Sequence, residues 1–260
     1  MRRHLTLVAA LAALALTACG GTASSAGTSS AVSSDTASGS ITVFAASSLK
    51  EAFTQIGKGY EAAHPGAKVT FNFGASSTLA TQITQKAPAD VFASASQKTM
   101  DTVTAAGAAS GDKVFAVNTM EIATPPTPTT PVTSLADLAK PGVKVVICQK
   151  DVPCGAAAAT LFTQNNLTVT PVSEEVDVKA VLSKVVLGEA DAGIVYVTDV
   201  LAAGSKVVGV PIASDQNVTT KYPIAPITGS ANAATAQAFV DYVLSPAGQQ
   251  VLTAAGFASP

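Results

Sequence analysis

Segments typical of strands and segments typical of helices alternate along most of this chain, and the alternation constrains its fold more than any other feature. Residues 41–46 form an apolar run typical of a buried strand, and apolar residues then recur at helical spacing as far as His64. The same pair of patterns returns at residues 67–86. Such alternation predicts sheets covered by helices on both faces, which is the α/β fold class.

Further elements follow the same order along the chain. Helices are predicted at residues 97–106, 155–165, 178–187, 233–244 and 246–255, and strands are predicted near residues 90–94, 113–118, 143–148, 192–197 and 221–227.

Two proline-rich breaks divide the alternation. Four prolines in residues 124–131 exclude a helix or a central strand, so we expect an exposed connecting loop there. A second break falls at residues 223–226. We therefore predict that the chain leaves one lobe and later returns to it. The first lobe would comprise residues 41–122 and 226–260, and the inserted second lobe residues 123–225.

The first 18 residues are typical of an export signal. Arg2 and Arg3 precede an apolar stretch that is too short and too rich in alanine for a membrane span. The stretch ends in LTAC at residues 16–19, which resembles the lipobox of bacterial lipoproteins. In that family the signal is cleaved before the cysteine, and the thiol carries the lipid. The alternative is an ordinary secretory signal with an incidental Cys19, and both interpretations predict export.

Residues 19–40 are predicted to be the lipidated cysteine followed by a flexible linker. From residue 20 onward, all but Val32 and Asp35 are Gly, Ala, Ser or Thr, a composition that cannot bury enough apolar surface to fold. The chain has a formal net charge of −2 and no basic block. We therefore expect no nucleic-acid partner.

The residues needed for hydrolytic or phosphate-transfer chemistry do not occur together. The sequence GASST around Ser76 lacks the second glycine of a nucleophile elbow, and His64 is the single histidine after the signal. Neither glycine-rich phosphate-loop pattern occurs. We therefore predict that the protein is not an enzyme and has no cofactor.

Apart from Cys19, the predicted exported chain has two cysteines, Cys148 and Cys154. An even number of cysteines in an exported protein favours a disulfide. Two free thiols or half of a metal site are the alternatives, but a Cys/His cluster would lack ligands.

Small and hydroxyl residues stand where predicted strands meet predicted helices. Ser47 and Ser48 follow one strand, Ser76 and Ser77 follow the next, and VPCG precedes the helix from residue 155. A serine at a helix start is usually a cap. Three such junctions at strand ends also predict an anion site, because helix N-termini gather there. We expect the serines to cap the helices and to donate hydrogen bonds to an anion.

Seven segments in order resemble the molybdate-binding proteins of bacterial ABC importers: ITVFAASSLKEAF, FGASSTLATQI, APADVFASASQKTMD, VPCG, VDVKAVLSKVVLGEADAGIVY, KYPIA and LSPAGQQVLTAAGF. They span nearly all of residues 41–257. The last resembles the wider class of two-lobed solute-binding proteins. The resemblance implies a type II periplasmic-binding-protein fold, in which each lobe is a mixed sheet flanked by helices and the ligand lies in the cleft between them.

The same resemblance implies five oxyanion contacts. The hydroxyl and backbone N–H of Ser48 and of Ser76 would donate, together with the backbone N–H groups of Cys154 and Val178 and the hydroxyl of Tyr196. No metal ion is expected except within the bound oxyanion.

Relatives often have alanine at the position of Cys154. Because that position works through its amide, a cysteine there keeps the donor and leaves its thiol free to bridge to Cys148. Asp199, three residues after Tyr196, is interpreted as a helix N-cap.

The implied donor set suits an oxyanion without protons. A fully deprotonated oxyanion only accepts hydrogen bonds, whereas phosphate near neutral pH also carries a proton and needs an acceptor. None of the five positions supplies a side-chain carboxylate, which argues against phosphate but not against sulfate. Tungstate matches molybdate in charge and nearly in size, so we expect both to bind.

These inferences predict a monomeric, lipid-anchored receptor on the outer face of the cytoplasmic membrane. It would capture molybdate or tungstate and deliver the anion to the permease of an ABC importer. The first alternative is a receptor for sulfate or another tetrahedral oxyanion. The second is a secreted hydrolase or an adhesion module.

Overall fold

The computed structural model describes residues 37–260 of the chain. The predicted signal peptide (residues 1–18), the predicted lipidation at Cys19 and most of the predicted linker lie outside the described residues. The first strand begins at Gly39, two residues before the predicted start of the folded body at Ile41. Ala37 is already buried, so the folded part extends slightly into the predicted linker.

Strands and helices alternate along the described chain, as the sequence pattern predicts. The strands are β1 (Gly39–Ala46), β2 (Ala67–Gly74), β3 (Val91–Ala93), β4 (Lys113–Thr124), β5 (Val145–Cys148), β6 (Ser173–Glu175), β7 (Ala192–Tyr196), β8 (Val208–Pro211) and β9 (Thr219–Pro226). The α-helices are α1 (Lys50–Ala63), α2 (Ser76–Thr84), α3 (Gln97–Ala105), α4 (Pro153–Gln164), α5 (Val178–Val186), α6 (Val197–Ala203), α7 (Ala233–Leu244) and α8 (Pro246–Ala254). Short 3-10 helices occupy Ser47–Leu49, Leu135–Ala139 and Gly204–Lys206.

Every predicted strand and helix is present, with ends within a few residues of the prediction. The strands β6 and β8 are additional, and the sequence pattern did not indicate them. The helix α6 was indicated only by the interpretation of Asp199 as an N-cap. The proline-rich segment is a loop that follows β4, as expected. Within residues 37–260, no helix is long and apolar enough to cross a membrane.

The first lobe is built on parallel strands whose carboxyl ends lie side by side. β1 pairs in parallel with both β2 and β3, and β9 pairs antiparallel with β3. In the register of the first pair, Ala46 lies opposite Gly74. The two strand-to-helix junctions that follow these residues are therefore neighbours at one edge of the sheet.

The sheet of the first lobe is covered on both faces, because side chains alternate along each strand. Ile41, Val43 and Ala45 of β1 join a core shared with α1 and α7. Phe44 joins a separate core shared with α2 and α3. The aromatic ring of Phe53 in α1 packs against several other aromatic rings in the first of these cores.

The second lobe has parallel strands of its own and a largely aliphatic core. β5 pairs in parallel with β6 and β7, and α4 and α5 pack on this sheet. The carboxyl ends of β5 and β7 lead into the loop before α4 and into α6. The second lobe therefore presents helix starts at its strand ends, as the first lobe does.

β4 belongs to both lobes. Its residues 113–119 pair with β9, and its residues 120–124 pair with β7 and β8. The predicted limits of the second lobe, residues 123–225, stay a prediction. The pairing of β9 with β3 favours placing β9 in the first lobe, with crossings close to residues 120 and 218.

Candidate functional site

The five residues predicted to contact a ligand line one cavity, where strand ends of both lobes meet. Ser48 and Ser76 approach it from the first lobe, and Cys154, Val178 and Tyr196 approach it from the second. All five are buried, and none is more than 5% exposed. The fold therefore brings together residues that are far apart in sequence, and their roles as ligand contacts stay a prediction.

The cavity is small. The volume open to the centre of a water-sized sphere is about 10 Å³, which is room for about one water molecule. An oxyanion of five heavy atoms needs more space than this. A ligand of that kind can therefore enter only if the lobes separate or the lining side chains move.

Ser48 lies in the 3-10 helix Ser47–Leu49, which joins β1 to α1. The N-cap of this helix is Ala46, whose side chain cannot accept a hydrogen bond, and the first N–H groups of a helix have no intrahelical partner. The hydroxyl oxygen of Ser48 lies 2.9 Å from the hydroxyl oxygen of Tyr222 in β9. Ser48 thus brings a side-chain hydroxyl and a helix start to the cavity.

Ser76 is the first residue of α2, and the N-cap of this helix is Ala75. The expectation that the serines cap their helices is therefore wrong at both junctions, because an alanine occupies each N-cap. The hydroxyl oxygen of Ser76 instead accepts a hydrogen bond from the backbone N–H of Ala95 at 3.0 Å. Since a hydroxyl has one hydrogen, the O–H of Ser76 remains available to donate.

Cys154 lies at the second position of α4 and forms a disulfide with Cys148 at the end of β5, so the predicted disulfide is confirmed. Pro153 occupies the first helical position and has no N–H, so the first donors of this helix belong to Cys154 and Gly155. A Cβ atom at Gly155 would lie 1.9 Å from the carbonyl oxygen of Gln149. Glycine is required here because α4 begins in direct contact with the preceding loop.

Val178 is the first residue of α5, and Asp177 is the N-cap. The Oδ1 atom of Asp177 accepts a hydrogen bond from the backbone N–H of Ala180 at 2.9 Å. The N–H of Val178 has no partner within its own helix. Asp177 also lines the cavity, next to the predicted position Val178. The expectation of a site without carboxylates considered only those five.

Tyr196 ends β7 and brings a buried hydroxyl to the cavity. Among the residues that the structure describes, this hydroxyl has no hydrogen-bond partner. Burial raises the pKa of Tyr196 well above its ordinary value, so the hydroxyl keeps its proton. Leaving such a group unpaired costs on the order of 1–3 kcal/mol. The hydroxyl of Tyr222 lies near it, and that contact adds to the rise in the pKa of Tyr196.

Asp199 is the third residue of α6, and the interpretation of it as the N-cap is wrong. The helix begins at Val197, and the N-cap is Tyr196. The Oδ2 atom of Asp199 accepts a hydrogen bond from the backbone N–H of Tyr196 at 3.2 Å. Its Oδ1 atom lies 2.9 Å from Nζ of Lys179. Burial raises the pKa of this carboxyl, and Lys179 offsets the effect only in part.

Lys179 joins the two lobes through an ion pair. Its Nζ atom lies 2.8 Å from Oε2 of Glu51, in the first turn of α1, as well as beside Asp199. Burial lowers the pKa of Lys179, but the two carboxylates outweigh this effect and raise it overall. The ammonium group therefore stays charged, and protein carboxylates balance its charge.

Four residues at or behind the cavity were not predicted: Ser47, Asp177, Lys179 and Tyr222. The first three lie within the quoted motifs, each next to a predicted site residue, but they were not assigned as ligand contacts. Tyr222 lies in KYPIA, one of the segments that resemble the molybdate-binding proteins, but no ligand contact was assigned within that segment. No sequence signal indicates that it reaches Ser48, which is 174 residues away.

The fold and the cavity together define a class of protein. Two α/β lobes enclose a small space that is lined by hydroxyl groups and by the starts of helices from both sides. Across residues 37–260, no three His, Cys, Asp or Glu side chains lie close enough to hold a metal ion. These are the features of a binding protein that closes around a small solute and holds it with hydrogen-bond donors.

The chain belongs to the bacterial extracellular solute-binding protein family, whose family model matches residues 41–258. The molybdate-binding protein ModA of Mycobacterium tuberculosis is 44% identical over 255 residues, which cover 98% of this chain and 97% of that protein. Proteins of this family bind solutes outside the cytoplasm and are not enzymes.

Two solved structures share the fold. The periplasmic molybdate-binding protein of Azotobacter vinelandii gives a TM-score of 0.75 at 21% identity, covering 85% of this chain and 99% of that chain. The sulfate-binding protein SubI of Mycobacterium tuberculosis gives a TM-score of 0.74 at 18% identity, covering 84% and 86%. At these identities the likeness shows the fold alone, and it confirms the predicted two-lobed α/β class.

Proposed function

We propose that this chain captures molybdate outside the cytoplasm and delivers it to the permease of an ABC importer. The 44% identity to a molybdate-binding protein over nearly the whole chain supports this ligand. The observation that carries the proposal is the Tyr196 hydroxyl, which is buried, protonated and unpartnered within the described residues, and which lies at a cavity ringed by helix starts.

The chemistry of the cavity suits an anion that only accepts hydrogen bonds. Ser76 and Tyr196 each have an O–H group that donates a hydrogen bond to no described residue. The starts of α2, α4 and α5 add backbone N–H groups and the positive ends of their helix dipoles. Because Lys179 is already paired with carboxylates, most of the hydrogen bonds to the anion would come from neutral donors.

Binding would close the two lobes around the anion. The lining residues come from both lobes, so every contact forms at once only when the lobes approach each other. The ion pair between Glu51 and Lys179 crosses the same gap. The permease could then recognise the closed, ligand-bound form of the receptor.

Tungstate would bind in the same way, because it has the charge and nearly the size of molybdate. Sulfate is the alternative ligand, since it is also a deprotonated tetrahedral dianion and a sulfate-binding protein shares the fold. Asp177 lies at the cavity with one oxygen bonded to Ala180. Its negative charge would oppose any dianion, so size is left to distinguish molybdate from sulfate.

Lipid attachment at Cys19 would hold the monomeric receptor at the outer face of the cytoplasmic membrane. The lipobox-like residues 16–19 support this part of the proposal. Metabolic labelling with a radioactive fatty acid tests it: the parent protein should be labelled, and Cys19→Ser should remain unlabelled. An unlabelled parent protein would contradict lipid attachment and would mean that the receptor is exported without a lipid anchor.

The ligand is tested with the parent protein by calorimetric titration and thermal unfolding. A ligand at a thousand times its Kd stabilises the native state by about 4 kcal/mol, so molybdate and tungstate should raise the melting temperature by several degrees. Sulfate and phosphate at equal concentration should have little effect. Equal stabilisation by sulfate would favour the sulfate receptor, and no response to any of the four anions would overturn the proposal.

A further inference from the structure

Tyr222 lies behind Ser48, outside the lining of the cavity, and is fully buried in β9. We propose that Tyr222 is a positioning residue that makes Ser48 donate to the bound oxyanion, and that it thereby sets the preference for an oxyanion without protons. This inference rests on the proposed function. Its basis is the 2.9 Å contact between the hydroxyl oxygens of Tyr222 and Ser48.

The contact allows two arrangements of hydrogen atoms. If Ser48 donates to Tyr222, only lone pairs of Ser48 face the cavity, and these repel a deprotonated oxyanion. If Tyr222 donates to Ser48, the O–H of Ser48 is free to donate to the ligand. The direction of this one hydrogen bond therefore decides whether Ser48 is a donor or an acceptor at the site.

The surroundings of Tyr222 favour donation to Ser48. Its ring packs against the rings of Phe115, Tyr196 and Phe257, and its hydroxyl is within hydrogen-bond distance of the hydroxyl of Ser48. Burial raises the pKa of Tyr222, and the nearby side chains of Ser48, Asn118 and Tyr196 lower it only in part. The phenol therefore keeps its proton and can act as a donor.

The side chain of Asn118 lies near the hydroxyl of Tyr222 and lowers its pKa, so its amide nitrogen is placed to donate to that oxygen. Its side-chain oxygen accepts a hydrogen bond from the backbone N–H of Thr119 at 3.0 Å. Its side-chain nitrogen donates to Oγ1 of Thr198 at 2.9 Å and has a second hydrogen. An N–H directed at the oxygen of Tyr222 leaves the hydrogen of Tyr222 for Ser48. The order of donation would run from Asn118 through Tyr222 and Ser48 to the ligand.

This order of donation has a consequence for selectivity. With Tyr222 present, Ser48 can only donate to the ligand, and a protonated oxyanion finds no acceptor there. In Tyr222→Phe, Ser48 is free to rotate and to accept the proton of a ligand such as hydrogen phosphate. The variant should lose affinity for molybdate and gain affinity for phosphate.

The experiment is calorimetric titration with molybdate and with phosphate near neutral pH, for the parent, Tyr222→Phe and Tyr60→Phe. Tyr222→Phe should weaken molybdate binding about three- to tenfold and narrow the ratio of molybdate to phosphate affinity by about tenfold or more. Tyr60→Phe is the matched control, because its buried hydroxyl donates to the carbonyl oxygen of Thr235, away from the cavity. It should lower the melting temperature and leave the ratio unchanged.

Ser48→Ala, alone and combined with Tyr222→Phe, separates positioning from a general structural effect. If Tyr222 acts through Ser48, its loss should change the ratio in the parent and have no further effect once Ser48 is alanine. An unchanged ratio in Tyr222→Phe, or an equal change with and without Ser48, would overturn the inference. A parent that binds no molybdate would overturn the proposed function and this inference with it, whereas binding with an unaltered ratio would overturn the inference alone.

Discussion

The two lobes present donors to the cavity in different ways. The first lobe contributes serines at helix starts whose N-caps are alanines, and the hydroxyl oxygens of Ser48 and Ser76 are held by Tyr222 and Ala95. The second lobe contributes the starts of α4 and α5, and covalent or charged groups brace them. A disulfide ties α4 to β5, and Asp177 caps α5.

The two halves of the site should therefore respond differently to substitution. On the first lobe, Ser48 and Ser76 are predicted to act through their hydroxyls as well as their backbone N–H groups, so removing one hydroxyl should remove one predicted contact. On the second lobe, Cys154 and Val178 are predicted to act through the backbone. Their side chains can therefore vary, but the backbone conformation that positions their N–H groups must be kept. Tyr196 is the exception, because it brings a side-chain hydroxyl from the second lobe.

The largest expected effect is that of Gly155→Ala, which tests the dependence of the second lobe on its backbone. The added Cβ would overlap the carbonyl oxygen of Gln149, so the start of α4 must move. We expect the free energy of unfolding to fall by about 3 kcal/mol and molybdate binding to weaken by about a hundredfold or more. Thermal unfolding and calorimetric titration measure both.

The control for this substitution is Ala156→Gly at the next, exposed position. It removes a Cβ atom and should cost roughly 0.5–1 kcal/mol of stability with binding within a few-fold of the parent. Parent-like binding by Gly155→Ala would show that the start of α4 makes no contact with the ligand.

The next largest effects concern the hydroxyl groups. Ser76→Ala and Tyr196→Phe each remove a donor to a buried dianion, and each should weaken molybdate binding about tenfold to a hundredfold. Ser77→Ala is the control, because Ser77 is the next residue of α2 and lies outside the cavity lining. If Ser77→Ala weakens binding as much as Ser76→Ala, the assignment along this helix is off by one residue.

The same two variants should differ in stability without ligand. Ser76→Ala leaves the buried N–H of Ala95 without its acceptor, which should cost about 1–3 kcal/mol. Tyr196→Phe removes a hydroxyl that has no partner among the described residues, so it should be neutral or slightly stabilising. Chemical unfolding of both variants measures this difference. Equal destabilisation would mean that Tyr196 has a partner within the chain.

A smaller effect on binding is expected from the double variant Cys148→Ser, Cys154→Ser. Losing a disulfide that closes such a short loop should lower the free energy of unfolding by about 2 kcal/mol. Binding should stay within a few-fold of the parent, because the predicted contact at Cys154 is an amide. A hundredfold loss of affinity would show that the brace, and not the helix start alone, positions the donor.

The smallest effect is expected from Glu51→Gln, which removes the charge that the first lobe offers to Lys179. Exposed ion pairs contribute roughly 0.2–1 kcal/mol, so affinity should fall by at most about fivefold, and by less at high salt. Glu174→Gln, at an exposed glutamate of β6, is the control for a change of net charge. A salt-independent loss of affinity would contradict a role for this pair in closure.

The sequence predicted the fold well because its strand and helix patterns are long and regular. Its failures were local. β6 and β8 are short, and their residues follow no clear period, while α6 was indicated only by the N-cap interpretation of Asp199. The capping prediction failed because the sequence shows serines at the junctions but does not reveal that Ala46 and Ala75 occupy the N-caps.

The predicted site residues lie together because motifs near the strand ends of both lobes meet at one cavity. The partners behind them were beyond sequence reasoning. The contact of Tyr222 with Ser48 and that of Lys179 with Glu51 depend on how the lobes and strands pack. Such contacts follow from tertiary structure, and no local pattern along the chain marks them.

The crossing of β4 between the lobes has a consequence for the order of folding. Lys113 pairs with Ile224, so the first sheet is complete only after the chain has passed through the entire second lobe. Contacts between residues so distant in sequence form slowly, because a long loop must close first. The lobe that is synthesised first is therefore the last to complete its sheet. Until β9 pairs with β3, the backbone groups of β3 that face β9 are unpaired and can bond to another strand.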